Sequence, residues 1–245
     1  MSENVLKVVG LGPGSEQLLT PAAREALQWC EVAVGYKVYT DQVKALFPEK
    51  EIFTTPMTRE IDRCRAALAM AAEGRRAAMV CSGDAGVYGM AGPILELAAE
   101  YPGVEVEVIP GLTAALAGAA VLGAPLTNDW CTVSLSDHLT PWEVIEKRLR
   151  GAALGDFALC LYNPMSRQRP GHLRKACEIL LSAGKPADTV CGWVQNIGRA
   201  GQQYKLLTLE QLQNETVDMF TTVFIGNAFT REVGGRMVTA RGYHT

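Results

Sequence analysis

The chain has 245 residues, 48% of them hydrophobic and 20% charged, with a formal net charge of −3. That length suits one large domain or two ordinary ones with a real core, and the composition excludes a disordered or fibrous chain. The slight acidic excess provides no electrostatic footprint for a nucleic-acid backbone, so an anionic ligand must be met by a local basic cluster.

Through the first half, short apolar runs alternate with helical patterns, which predicts an α/β fold of parallel strands joined by crossover helices. The runs are Leu6 to Val9, Val32 to Val34, Ala77 to Cys81 and Val104 to Ile109. Thr20-Pro21 opens the first helix, with threonine as cap and proline at the first helical position, and leaves 12–19 as loop. After Thr58, Ile61, Cys64, Leu68 and Ala71 recur at helical steps, with Arg59, Arg63 and Arg65 on the face turned to solvent. An alanine-rich helix from Thr113 to Leu122 ends at Gly123-Ala124-Pro125 and joins two halves, giving domains 1–112 and 113–245. Strands follow at Cys131 to Leu135, Phe157 to Leu161, Val190 to Val194 and Thr222 to Ile225, with helices at Pro141 to Arg150 and Leu173 to Ala183. Thr140-Pro141-Trp142-Glu143 reads as a capping box.

Seven cysteines without a CxxC pair read as buried free thiols in a reducing compartment. The longest apolar stretch, Leu112 to Leu126, is broken by glycine and proline and is shorter than a bilayer span. The start of the chain lacks the pattern of a signal peptide. The expectation is a cytoplasmic protein that engages neither membrane nor nucleic acid.

Three strand-to-helix junctions carry the motifs. Gly10-Leu11-Gly12-Pro13-Gly14 follows the first strand, where open α/β sheets place ligands. It is not a dinucleotide fingerprint, because Pro13 removes an amide and the helix waits until Thr20. Gly35-Tyr36 also stands where a nicotinamide enzyme needs an acid, and no lysine followed by Ser or Thr completes a phosphate loop. The loop therefore packs against a ligand without gripping phosphate, or is a plain tight turn. Ser82-Gly83-Asp84-Ala85-Gly86-Val87-Tyr88-Gly89 reaches the same sheet edge, where Asp84 either accepts hydrogen bonds from a ligand or caps the next turn. Pro110-Gly111-Leu112-Thr113-Ala114 is the third junction, with Thr113 as helix cap or ligand contact.

In this order, GLGPG, SGDAGVYGMAG and PGLTA resemble the tetrapyrrole methylase family. The segment from Ser134 to Glu146, Leu161-Tyr162-Asn163-Pro164 with the following Arg167 and Arg169, and Val217 to Asn227 are similar to its branch acting on carbon 17 of precorrin-3B or cobalt-factor III. The likeness runs from about Val8 to Tyr243.

That resemblance implies a two-domain class III methyltransferase fold, with a mainly parallel N-terminal sheet, a mixed C-terminal sheet and the active site in the cleft between. It implies S-adenosylmethionine as cofactor, leaving as S-adenosylhomocysteine, a tetrapyrrole substrate and a homodimer. Gly12, Pro13, Ser82, Gly83, Asp84, Val87, Thr113, Ala114, Asn163 and Gly198 are then the expected cofactor contacts. The implied reaction is methylation of carbon 17 with ring contraction, giving precorrin-4 or cobalt-precorrin-4 in cobalamin biosynthesis. A methylase acting at carbon 11, or a catalytically silent cofactor-binding regulator, is the alternative.

Methyl transfer from a sulfonium is an in-line displacement served by positioning. Ring contraction moves a proton at an oxygen on the extruded carbon, which asks for a general base. Asp137 and His138, with Asp84, are the candidates, and Asp137 alternatively orients the Thr140 helix. Arg167 and Arg169, with Lys37 and the helix bearing Arg59, Arg63 and Arg65, are the expected partners of substrate carboxylates, and those three arginines are alternatively a solvated face. Tyr36 and Tyr88, with Tyr39, are expected to wall a flat macrocycle or to serve the core. His172 and His244 are weak evidence for a metal site, and no protein-bound metal is expected.

Overall fold

The fold is taken from a computed structural model that describes residues 4–56 and 58–243. The chain divides after Thr113 into two compact units, Met1–Thr113 and Ala114–Thr245.

The first unit runs β1 (Asn4–Gly10), α1 (Pro21–Trp29), β2 (Val32–Gly35), α2 (Lys37–Leu46), β3 (Glu51–Thr54), α3 (Glu60–Ala72), β4 (Ala77–Cys81), α4 (Ala91–Ala98) and β5 (Val104–Ile109). Its five strands are parallel throughout, in the order β3-β2-β4-β1-β5. β2 and β4 are buried along their whole length, which is why they read as unbroken apolar runs without alternation. Successive side chains of one strand enter opposite layers. Leu6 and Val8 pack with α3 and α4, whereas Val9 and Leu11 pack with α1 and α2. Thr20 caps α1 as its sequence predicts, its hydroxyl accepting from Ala23 N at 3.1 Å and donating to Pro110 O at 3.1 Å.

Three expectations for this unit are corrected. The stretch after Gly12 is not loop throughout, since Glu16–Leu18 forms a 3-10 turn. On α3, Ile61 faces outward and Arg63 inward, the arginine only 4% exposed. Its guanidinium donates to Thr55 Oγ1 at 3.0 Å and Pro56 O at 3.2 Å, so the buried charge gains the acceptors that burial demands. Arg59 and Arg65 do lie outside, paired with Asp62 and Glu100.

The second unit runs α5 (Ala114–Leu122), β6 (Gly123–Ala124), β7 (Trp130–Ser134), α6 (Trp142–Leu154), β8 (Ala158–Tyr162), α7 (His172–Ser182), β9 (Val190–Gln195), β10 (Gln203–Thr208), α8 (Leu209–Leu212), β11 (Thr221–Ile225), β12 (Thr230–Val233) and β13 (Arg236–Thr239). Its main sheet, β10-β9-β11-β8-β7, is mixed: β7 and β8 are parallel, and β11 lies antiparallel between β8 and β9. One apolar core fills the space between this sheet and α6, α7 and α8. α5 crosses the other face, where Gly118 sits so close to Phe224 that a Cβ would come within 2.8 Å of its ring. A small sheet, β12-β13-β6, completes the unit.

The capping box expected at Thr140 does not form. α6 starts one residue later, its N-cap Pro141 has no side-chain acceptor, and Glu143 therefore falls at the second helical position. A reciprocal box forms instead at Thr208 and Gln211, where α8 begins directly after β10. Among the described residues no helix is long and apolar enough to cross a membrane.

Candidate functional site

The carboxyl ends of β1, β4 and β5 bring the three glycine-bearing junctions of the first unit together. β1 and β4 are neighbours, yet the helix after β1 packs on one face of the sheet and the helix after β4 on the other. Adjacent strands whose connections leave to opposite sides open a crevice at their carboxyl ends, the place where open α/β sheets bind ligands. Gly12 and Gly83 face each other there, Gly12 N donating to Gly83 O at 2.9 Å and Gly83 N to Gly12 O at 2.8 Å.

The glycines serve this backbone junction. At Gly12 φ is +71°, and a Cβ would lie 2.5 Å from Leu18 O. At Gly111 a Cβ would lie 2.1 Å from Gly83 O and 2.6 Å from Gly10 C. Asp84 ties the same loops. One carboxylate oxygen accepts from Gly86 N at 2.8 Å and Val87 N at 3.1 Å, and the other from Gly111 N at 2.9 Å. Asp84, expected as a cofactor contact and as an acid–base group, has both carboxylate oxygens engaged by backbone amides of the loops it joins.

Ser82 and Val87 are half-buried at the crevice, and Tyr88 is 54% exposed with φ of +54°. Burial pushes the thiol of Cys81, just before the loop, up to about 12, and its sulfur accepts from Met90 N at 3.3 Å. A thiol held neutral in this way is no nucleophile at neutral pH. Residues 10–19, 82–91 and 110–114 contain no Lys, Arg or His. These loops therefore offer a ligand backbone and small polar groups and no cationic side chain to pair with an anion.

The second unit has an edge of its own, at the carboxyl ends of β7, β8 and β9. Asn163 follows β8 with φ of +52°, a conformation that asparagine tolerates, and donates through Nδ2 to Ser134 Oγ at 3.0 Å. The Tyr162 hydroxyl accepts from Ala115 N at 2.8 Å, satisfying one of the amides at the start of α5. Gly198, with φ of +68°, donates its amide to Gln202 Oε1 at 2.8 Å, and the Arg199 guanidinium lies 5.5 Å above the Phe220 ring.

Asp137 and Arg169 meet on this edge. Arg169 Nη1 is 3.8 Å from Asp137 Oδ1 and donates to Ser136 Oγ at 2.9 Å. Its Nε is buried and has no hydrogen-bond partner among the described residues. The histidine beside Asp137 is His172, with Nε2 3.5 Å from Asp137 Oδ2. His138 is exposed, as is Arg167. Lys37 is paired with Asp41 one turn along α2, at 2.8 Å, and Tyr36 packs edge-on against Tyr39 with ring centres 5.7 Å apart. Sequence reasoning missed His172 as a partner for Asp137, because one follows β7 and the other opens α7 after β8, and only the register of β7 against β8 brings them together. Among the described residues no group of three or more His, Cys, Asp or Glu is placed to hold a metal ion, and His244 lies outside them.

Comparison with known proteins matches residues 5–213 to the family model described as Tetrapyrrole (Corrin/Porphyrin) Methylases. A probable cobalt-factor III C(17)-methyltransferase of Salmonella typhimurium is 50% identical over 98% of this chain and 99% of its own length. A cobalt-factor III methyltransferase of Priestia megaterium is 43% identical over 97% of this chain, which spans 45% of that longer protein. The crystal structure of the methyltransferase CobJ is 41% identical, with a TM-score of 0.90 over 97% of this chain and 100% of that one. The chain belongs to the tetrapyrrole (corrin/porphyrin) methylase family.

Proposed function

We propose that the protein transfers a methyl group from S-adenosylmethionine to carbon 17 of cobalt-factor III or precorrin-3B. The macrocycle contracts in the same reaction, giving cobalt-precorrin-4 or precorrin-4 in cobalamin biosynthesis. The observation that carries this reading is the crevice between the diverging loops of β1 and β4, glycine-lined and free of cationic side chains, in a chain whose full length matches a carbon-17 methyltransferase. When bound, the cofactor supplies an electrophilic methyl on a sulfonium. Gly12, Pro13, Ser82, Gly83 and Val87, with Thr113, Ala114, Asn163 and Gly198, are proposed to hold it, and Asp84 to hold the loops that do so. The chain's part in methyl transfer is orientation, because an in-line displacement gains most from aligning the reacting atoms.

On the second unit's edge, Asp137 is proposed as the base that takes the proton of the substrate oxygen as the ring contracts. Arg169 and Arg167 are proposed to meet carboxylates of the macrocycle, for which a guanidinium fork is suited. Tyr36 and Tyr88 are proposed to contact its flat face, and Lys37 one of its acid side chains. The resemblance also carries a homodimer, and the unpaired cysteines favour a reducing, cytoplasmic location.

Calorimetry with S-adenosylhomocysteine, followed by turnover on cobalt-factor III and then precorrin-3B read by product mass and absorbance, tests the reading. Cofactor binding with a methylated, contracted product is expected from one of the two. Absence of cofactor binding, or methylation at another carbon, overturns it.

A further inference from the structure

Asp137 stands between Arg169 and a buried histidine, His172. His172, the first residue of α7, is 8% exposed, and both ring nitrogens face acceptors. Nδ1 lies 2.9 Å from Leu135 O, and because a carbonyl only accepts, the proton of this bond is on Nδ1. Nε2 faces Asp137 Oδ2 at 3.5 Å, and it donates to that carboxylate as the imidazolium, which carries a proton on both nitrogens. On the other side of the ring, Trp142 packs with centres 4.7 Å apart, and Lys175 Nζ lies 5.6 Å from the Trp142 ring centre. The charged groups around His172 are therefore Asp137, Arg169 beyond it and Lys175 across the indole. The imidazole has lost its rotational freedom to Leu135 and Trp142, while the carboxylate it faces keeps 40% of its side chain exposed. A buried ring fixed by a backbone carbonyl and aimed at a solvent-facing carboxylate is the arrangement that orients an acid–base group.

We infer that His172 is the positioning residue for Asp137: it fixes the carboxylate rotamer through Nε2, while Arg169 holds the opposite oxygen. This rests on the reading of Asp137 as the base for ring contraction. A purely structural His172 would need only its Leu135 bond, and the two functions separate by isosteres. Asparagine places an amide where Nδ1 stands, keeping the Leu135 bond and abandoning Asp137. Glutamine reaches the position of Nε2, keeping the Asp137 contact and losing Leu135.

The experiment measures His172→Asn and His172→Gln against wild type for urea midpoint, S-adenosylhomocysteine affinity, and kcat and KM on whichever macrocycle the wild type turns over. For His172→Asn, cofactor affinity and urea midpoint are expected to stay near wild type. Its kcat is expected to fall by about tenfold or more with KM within about twofold, the signature of an interaction made in the transition state only. His172→Gln is expected to recover part of the lost kcat despite a lower urea midpoint. Wild-type kcat in His172→Asn, or a glutamine variant with lower kcat than the asparagine one, overturns the inference while leaving the methyltransferase reading standing. A wild type that binds no cofactor and turns over neither macrocycle removes that reading, and the inference with it.

Discussion

Replacing Gly111 with alanine puts a methyl group 2.1 Å from Gly83 O and 2.6 Å from Gly10 C, all of it backbone. No rotamer relieves that overlap, so the three loops must separate by more than an ångström to reach ordinary van der Waals contact. The separation weakens three hydrogen bonds at once: the reciprocal Gly12–Gly83 pair at 2.9 and 2.8 Å and Gly111 N to Asp84 at 2.9 Å. At about 0.5–1.5 kcal/mol for each neutral bond, and up to about 3 for the charged acceptor, the expected loss is about 3–5 kcal/mol. Gly92→Ala is the control. Nothing lies within 4 Å of its added methyl, and in α4 alanine is the better helix former by up to about 1 kcal/mol. Urea midpoints of both variants, with S-adenosylhomocysteine calorimetry on the folded protein, make the assay. Gly111→Ala is expected to lower the midpoint and weaken cofactor binding, and Gly92→Ala to change neither for the worse. An unchanged midpoint and affinity in Gly111→Ala would refute the view that glycine at this junction is demanded by loop-to-loop contact.

Two further outcomes follow from burial. Arg63→Ala leaves Thr55 Oγ1 and Pro56 O without their donor and opens a cavity under α3, which costs about 2–4 kcal/mol, whereas exposed Arg59→Ala costs at most about 0.5; equal urea midpoints for the two variants contradict this. Burial raises the thiols of Cys64 to about 11 and of Cys81 and Cys177 to about 12. Below the unfolded value of 9.0 both states hold these protons. Above it the unfolded chain releases them first, so stability falls with rising pH from about 9 to 12, by up to about 1.4 kcal/mol per pH unit for each thiol. Urea midpoints at pH 8 and pH 10.5 for wild type and Cys81→Ala test this, the variant being expected to lose less over the interval. The same loss in both proteins counts against it.

Much of the first unit was legible because its signals are local. Ala77 to Cys81 and Val104 to Ile109 were placed to the residue, and Thr20-Pro21 marked the start of α1, since strand runs and caps are written over a few neighbouring positions. The helices α2, α4 and α8 and the short β6 were not named either; among the missed strands, β3, β10 and the β12–β13 hairpin are short or mostly exposed, and pairing with a neighbouring strand defines them more than their own pattern does. Arg63 was misjudged because helical spacing places a side chain on a face without saying what the face meets. Thr140 was misjudged because a capping motif shifts by one residue when proline takes the cap.

By itself the sequence determined the α/β class, the three glycine-bearing junctions after β1, β4 and β5, and the absence of phosphate-binding cations in them. Those properties depend on residue type and order alone. Tertiary structure decided that Gly111 faces Gly83, that Asp84 serves three backbone amides, and that His172 faces Asp137. The Gly111–Gly83, Gly111–Asp84 and Asp137–His172 contacts join segments distant in sequence, and strand register, a property of the whole sheet, sets which of them meet.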